Sequence, residues 1–353
     1  MLLRVLKIAC AVAFLAVAAG GVGVGYLFLR KPAQAPASAI RVSRAPERVA
    51  RGKFLFEVLA DCDECHSERD FTRVGGPVVT SGRGKGNVLS SLIQGLPGTV
   101  VAPNITPDPE TGIGGWTDGE KIRAIREGVD RTGHALFPMM PYTSYRRMSD
   151  EDVESLVAYL DALPPVRNPL PRTRLSFPVG LMIKRVPRPA ERVAPRDRQD
   201  PVRYGEYLVA VAGCAECHTP VEKGHPISGK LLSGGQAFVT DLGTVVSANI
   251  TPDVTTGIGK WSVEFFRQKS YDYRDYAMRV PPRLAGAEAF TLMPWLSLSR
   301  LPQEDLNAIY AYLRTVRPVY NAVETHPNWP ERITGLARDR KPALGSSSPL
   351  GIP

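Results

Sequence analysis

An uncharged apolar stretch runs from Ile8 to Leu29, preceded by Arg4 and Lys7 and closed by Arg30 and Lys31. As a helix, its 22 residues reach about 33 Å, enough to cross a bilayer core. The apolar region of a signal peptide is shorter, about 7–15 residues, so residues 1–30 are expected to be an uncleaved membrane anchor. Ala33-Gln34-Ala35 and Ala37-Ser38-Ala39 resemble signal-peptidase sites and keep a cleaved signal as the competing reading. Beyond this stretch, apolar positions recur at helical spacing. Ser149-Asp150-Glu151-Asp152 reads as a capping box opening the run Val153 to Leu163, which Pro164 stops. A second run passes through Leu306, Ile309, Tyr310 and Leu313, with Pro302 suited to its first turn. The pattern predicts a mostly α protein behind an N-terminal transmembrane helix.

The chain repeats itself. Val101-Ala-Pro-Asn104-Ile-Thr-Pro-Asp108 returns as Val246-Ser-Ala-Asn249-Ile-Thr-Pro-Asp253, and both copies continue through Thr-Gly-Ile-Gly to Trp116 and Trp261. Met140-Pro141-Tyr142 returns as Met293-Pro294-Trp295, and Ala158-Tyr159-Leu160 as Ala311-Tyr312-Leu313. A long unit occurring twice means duplicated domains, here residues 45–166 and 201–322, rather than a solenoid. The Pro- and Arg-rich stretch 167–200 reads as a semi-extended connector lying along the domain surfaces, and 323–353 as a flexible tail. Gly52 and Gly205, on the first helix of each unit, would let the last helix, carrying Tyr159 or Tyr312, cross closely; the alternative is ordinary helix-start flexibility.

Composition adds constraints. A 43% hydrophobic, 22% charged chain is globular, and its net charge of +9 admits nucleic acid, anionic lipid or an acidic protein as partner. No basic helix or zinc-finger spacing supports nucleic acid. The positive charge is dense around Arg167–Arg198, where it either steers acidic partners or solvates the connector. Of five cysteines, Cys10 lies in the apolar stretch, and Lys7 stands where a lipid-attachment motif needs an apolar residue. The other four form Cys62-Asp-Glu-Cys65-His66 and Cys214-Ala-Glu-Cys217-His218.

Two cysteines three positions apart lie on one side of a helical turn, where both thiols reach the vinyl groups of a haem and the next histidine faces the iron. A zinc ribbon needs its second pair about 15–20 residues away, whereas these are about 150 apart, and a redox dithiol needs no histidine. The motifs therefore read as two covalent haem c sites with His66 and His218 as axial ligands. Met140 follows His66 by 74 residues and Met293 follows His218 by 75, which makes them the opposite ligands. The rivals match less well: Met139 corresponds to Leu292, His134 to Ala287, His225 lies only seven residues past His218, and Met278 has no matching context. Thioether opposite imidazole raises the potential and closes the iron, which favours electron transfer over chemistry on a substrate. Asn104 and Asn249 either bond a propionate or fix their own loop. Gly224-His-Pro-Ile-Ser-Gly229-Lys230 nearly matches a phosphate loop, but Leu231 replaces the required hydroxyl.

On both haem motifs, Asn-Ile-Thr-Pro-Asp…Thr-Gly-Ile-Gly-x-Trp, Met-Pro-Tyr/Trp, Ala-Tyr-Leu and Leu175-Ser-Phe-Pro178, the sequence from about 45 to 325 resembles the membrane-bound cytochrome c subunits of bacterial periplasmic dehydrogenases, such as the alcohol, gluconate and nicotinate types. The resemblance implies two tandem class I-like cytochrome c domains, with ligand pairs His66–Met140 and His218–Met293. It implies electrons passing from a periplasmic dehydrogenase subunit to quinone, another cytochrome or a terminal oxidase, with the domains facing the periplasm from the bacterial inner membrane. Lack of a third Cys-x-x-Cys-His sets the chain apart from three-haem members and shifts the expected acceptor from quinone towards a cytochrome or oxidase. A dihaem subunit of a terminal oxidase would carry the same ligands. A dihaem peroxidase would need an iron that opens, and a thiosulfate-oxidising enzyme would need a spare cysteine ligand.

Overall fold

The computed structural model describes residues 2–327, apart from 72, 74, 223, 241–242 and 275–290. Met278, Ala287 and the tail beyond residue 327 lie outside the described residues. Helix α1 (Leu2–Leu29) is uncharged from Ile8 onward, and the stretch Arg4–Leu29 is long and apolar enough to cross a membrane, with none of its apolar window buried against the rest of the chain.

The first repeat builds α2 (Pro46–Phe54), α3 (Asp63–His66), α4 (Asp118–Glu127), α5 (Tyr142–Tyr145) and α6 (Asp150–Ala162). The connector contributes α7 (Val179–Met182). The second repeat builds α8 (Pro201–Val211), α9 (Cys214–His218), α10 (Val263–Tyr271), α11 (Trp295–Leu298) and α12 (Gln303–Leu313). Proline at the first turn starts α2 and α8, and the Asp200 carboxylate caps α8 by accepting from the Val202 and Arg203 amides. Between the helices, the described residues form short 3-10 turns and short antiparallel ladders: Asn87–Val88 with Val101–Ala102, Gly98–Thr99 with Arg174–Leu175, Val221–Glu222 with His225–Pro226, and Ala237–Thr240 with Gly243–Val246.

In each repeat the first and last helices cross at a glycine. A β-carbon on Gly52 would lie 1.9 Å from the Ser155 carbonyl oxygen and 2.7 Å from Tyr159 Cβ. One on Gly205 would lie 1.8 Å from the Ala308 oxygen and 2.9 Å from Tyr312 Cβ. Close crossing, not helix-start flexibility, is why glycine stands there. Gly52 precedes its first motif cysteine by ten residues and Gly205 by nine. The extra residue is absorbed by a π-helical turn, Leu55–Leu59, closed by the Ala60 amide donating to the Leu55 carbonyl at 2.8 Å.

Two helix starts differ from expectation. Ser149 does cap α6, accepting from the Asp152 amide at 3.1 Å, but the return half of the box is missing. The Asp152 carboxylate instead accepts from Arg51 at 2.7 and 2.8 Å and from the Tyr207 hydroxyl at 2.5 Å, and the Ser149 amide donates to that same hydroxyl. A reciprocal box forms at Thr117 and Glu120. Pro302 is the residue before α12 rather than in its first turn, held in extended backbone at ψ 153°.

One apolar cluster runs through both repeats, from Leu55, Phe56 and Tyr159 to Tyr204, Leu208 and Leu306. The repeats dock reciprocally: α5 packs on α8, while α11 packs on the π-turn that follows α2. Ion pairs flank this contact, Arg147 with Glu206 at 3.0 Å and Arg300 with the buried Glu57 at 3.5 Å. The connector lies against the first repeat, where Arg126 and Asp150 bond its backbone at Glu191 and Val193.

Candidate haem sites

Each motif is presented by a sharp turn at the end of the repeat's first helix. The residue before the first cysteine is left-handed in both, Asp61 at φ 42° and Gly213 at φ 65°. That turn leads into α3, with Cys62 at its N-cap and Cys65 and His66 within it, and into α9, which carries Cys214, Cys217 and His218. Both histidines are 7% exposed. His66 Nδ1 lies 2.8 Å from the Pro103 carbonyl oxygen, and His218 Nδ1 lies 2.7 Å from that of Ala248. A carbonyl can only accept, so Nδ1 carries the proton and Nε2 keeps its lone pair for a metal. Burial pushes both imidazoles' pKa down, against a smaller upward pull from the carbonyl bonds, and holds them in that neutral form.

The four motif thiols are unpaired, and burial pushes them up: Cys65 and Cys214 to about 12, Cys217 to about 11 and Cys62 well above the ordinary range. Redox dithiols are tuned the opposite way, towards the thiolate. The residues fit a haem at each turn: two thiols one turn apart, and an imidazole with a free Nε2 beside them.

The loop beginning at Asn104 or Asn249 supplies the histidine's carbonyl partner from the residue just before it. Asn104 is 3% exposed and spends its amide locally, donating to Thr111 Oγ1 at 3.0 Å and the Val166 carbonyl at 2.7 Å. Its oxygen accepts from the amide and hydroxyl of Thr106. Asn249 repeats the pattern with Thr256, Val319 and Thr251. Of the two roles considered for these asparagines, the structure supports fixing the loop.

Met140 and Met293 share one backbone geometry. The Tyr142 amide donates to the Met140 carbonyl at 2.8 Å and the Trp295 amide to that of Met293 at 2.7 Å, around Pro141 (φ −80°, ψ 49°) and Pro294 (φ −76°, ψ 57°). These are inverse γ-turns, which explains the repeated Met-Pro pair. Met140 packs on the same core cluster as Cys62, and Met139 packs with Cys65 on a smaller cluster around Leu89 and Val100. Tyr145 on α5 donates to the Ala60 carbonyl at 2.9 Å, tying the Met140 loop to the first motif. His134, with 78% of its side chain exposed, bonds Thr132, and His225 is exposed on a hairpin.

Two glycines escaped the sequence reasoning. The Gly86 and Gly234 amides each donate at 2.7 Å to the carbonyl of His66 or His218. A β-carbon on Gly86 would lie 2.7 Å from the Ala102 oxygen, and one on Gly234 would lie 2.4 Å from the Ala248 carbonyl carbon. Their only sequence signal is a glycine pair or near-pair at unequal distances after each motif.

A family model for cytochrome c matches residues 49–164 and again 202–317. The chain belongs to the cytochrome c family. This cytochrome c is 34% identical over 307 residues to the fructose dehydrogenase cytochrome subunit of Gluconobacter japonicus, covering 83% of this chain and 57% of that one. It is 32% identical over 286 residues to the gluconate 2-dehydrogenase cytochrome c subunit of Pantoea cypripedii, covering 76% and 59%. A dihaem c-type cytochrome of Cereibacter sphaeroides is 30% identical over 274 residues, covering 76% and 85%. The chain thus spans little more than half the length of the two dehydrogenase subunits. These relatives are electron-transfer cytochromes rather than catalytic subunits, and this cytochrome c carries two covalently bound haems and transfers electrons.

Proposed function

We infer that this cytochrome c relays electrons from a dehydrogenase to a respiratory acceptor, and that His66 with Met140 would hold one haem and His218 with Met293 the other. The domains are class I-like and span 45–166 and 201–322, joined by 167–200 and held at the periplasmic face of the inner membrane by α1. Haem supplies a reversible one-electron couple; the chain's residues bind, orient and enclose it. His66 and His218, proton-bearing at Nδ1 and bonded to a fixed carbonyl, keep one ring nitrogen for iron. The shared γ-turns support Met140 and Met293 as equivalent second ligands.

The observation that carries the relay is the reciprocal docking of the repeats around their motifs. Glu216, inside the second motif, accepts from Ser144 at 2.6 Å and Thr143 at 3.3 Å, on the helix that follows Met140-Pro141. On the other side α11, the helix that follows Met293-Pro294, packs on the π-turn Leu55–Leu59 just before the first motif. Each motif, or the turn before it, therefore meets the other repeat's methionine-side helix, an arrangement suited to passing electrons within the chain.

The dehydrogenase partner is supported by the fructose and gluconate dehydrogenase relatives. Affinity purification of the tagged chain from its host's membranes tests it. The expected result is a co-purifying dehydrogenase whose substrate reduces both haems. Recovery of terminal-oxidase subunits alone, with no substrate-driven reduction, would replace this reading with the oxidase one.

A further inference from the structure

We propose that connector residues 177–185 form a second membrane contact, a foot resting on an anionic lipid surface beside the end of α1. The proposal rests on α1 being a bilayer anchor.

Three observations carry it. The stem after α1 is clamped to the first repeat rather than free. Pro32 and Val42 are buried, the Ala35 amide donates to Glu127 at 3.3 Å, and the Val42 amide donates to Asp118 at 2.7 Å. Glu127 also accepts the Ala190 amide at 3.2 Å, so one carboxylate holds both the stem and the connector. The end of the span and the connector are therefore placed together.

Lys184 Nζ donates to the Phe28 carbonyl at 2.7 Å. That carbonyl is in the last turn of α1, and its ordinary helical donor four residues on is Pro32, which has no N–H. The bond sets the lysine at the level where the apolar span ends. Around it Phe177 is 77% exposed and Met182 is 58% exposed, while neighbouring Ile183 is buried against the protein.

Charge points to the same occupant. Between residues 162 and 190 there are six Lys or Arg (Arg167, Arg172, Arg174, Lys184, Arg185, Arg188) and no Asp or Glu. Exposed apolar side chains on a segment rich in basic residues and free of acidic ones, continuous with a span's end, suit the boundary between headgroups and acyl chains. An acidic protein would match the charge but not the place.

Nitroxide labelling of the full-length holoprotein in phosphatidylcholine–phosphatidylglycerol nanodiscs tests this. With the four motif cysteines consumed by haem, Cys10 takes the label in the natural sequence and reports the anchor. Cys10→Ser with Met182→Cys reports the foot, and Cys10→Ser with Tyr320→Cys, at a site 67% exposed, reports open water. The labels at 10 and 182 should both collide with oxygen in preference to a water-soluble nickel chelate, and the label at 320 should do the reverse. Protection at 182 should weaken in pure phosphatidylcholine; full protection there would remove the anionic requirement and overturn the proposal as stated. A protected label at 10 with a label at 182 as nickel-accessible as that at 320 keeps the anchor and overturns the foot. A nickel-accessible label at 10 overturns the anchor, and the foot with it.

Discussion

Replacing Gly205 by alanine adds one carbon at a point where α8 touches α12 backbone to backbone. The new atom would lie 1.8 Å from the Ala308 oxygen and 2.5 Å from its carbonyl carbon, so the two helices must part by roughly an ångström. The obstruction is main chain and cannot swing aside, so the cost sits at the top of the usual overpacking range, about 3 kcal/mol. Alanine returns about 1 kcal/mol through its better helix propensity, leaving a net loss of about 2 kcal/mol. For a domain of this size that lowers Tm by about 8 °C. Thermal unfolding of the holoprotein followed by far-ultraviolet circular dichroism measures it. Gly52→Ala should behave alike, with 1.9 Å to the Ser155 oxygen, whereas Gly180→Ala, whose carbon would meet nothing nearer than 3.8 Å, should leave Tm unchanged. If Gly205→Ala raises Tm, only propensity is acting and the close-crossing argument is wrong.

Other perturbations separate the remaining parts of the account. Asn249→Ala removes both donors and the acceptor that hold its loop, leaving the buried Thr251 amide without its partner; it should cost about 2–3 kcal/mol in denaturant unfolding and speed hydrogen exchange at Thr251. Glu57→Ala takes the shared acceptor from Tyr159, Arg83 and Arg300 at a buried site and should cost about 3 kcal/mol, while Arg300→Ala, at a half-exposed one, should cost about 1 kcal/mol or less; the reverse ranking would refute burial as the deciding factor. The Arg44 guanidinium, bonded to Asp118, holds its carboxyl below the usual range. A depressed folded pKa gives stability that is present above the unfolded value, about 4, and is lost as pH falls through the folded one. Protection of the Val42 amide, measured as its exchange rate relative to the intrinsic rate at each pH, should therefore fall on acidification below that point, and Asp118→Asn should show the low protection at neutral pH.

Much of this was legible in the sequence because duplication states each feature twice. Gly52 and Gly205 announced a helix crossing through their matching partners, Tyr159 and Tyr312, and the repeated Met-Pro pairs proved to be one turn. What stayed hidden was settled by backbone or by contact between the repeats. The carbonyls of Pro103 and Ala248 orient the histidines, yet a carbonyl leaves no mark on residue identity. The Ser149 capping box looked complete in sequence, but Arg51 and Tyr207 outcompete the Ser149 amide for Asp152, and Tyr207 comes from the other repeat. The docking of Ser144 on Glu216 and of α11 on the π-turn joins ordinary residues that only the fold brings together.

The central claim is two equivalent His–Met haems acting as one relay. Its most direct test is a spectroscopic redox titration of Met140→Ala and Met293→Ala beside the natural protein. Each variant should lose about half of the methionine–iron absorbance at the red end of the visible spectrum, and its altered haem should titrate at a lower potential. If neither variant loses that absorbance, the methionine assignment is wrong and the relay loses its sixth ligands.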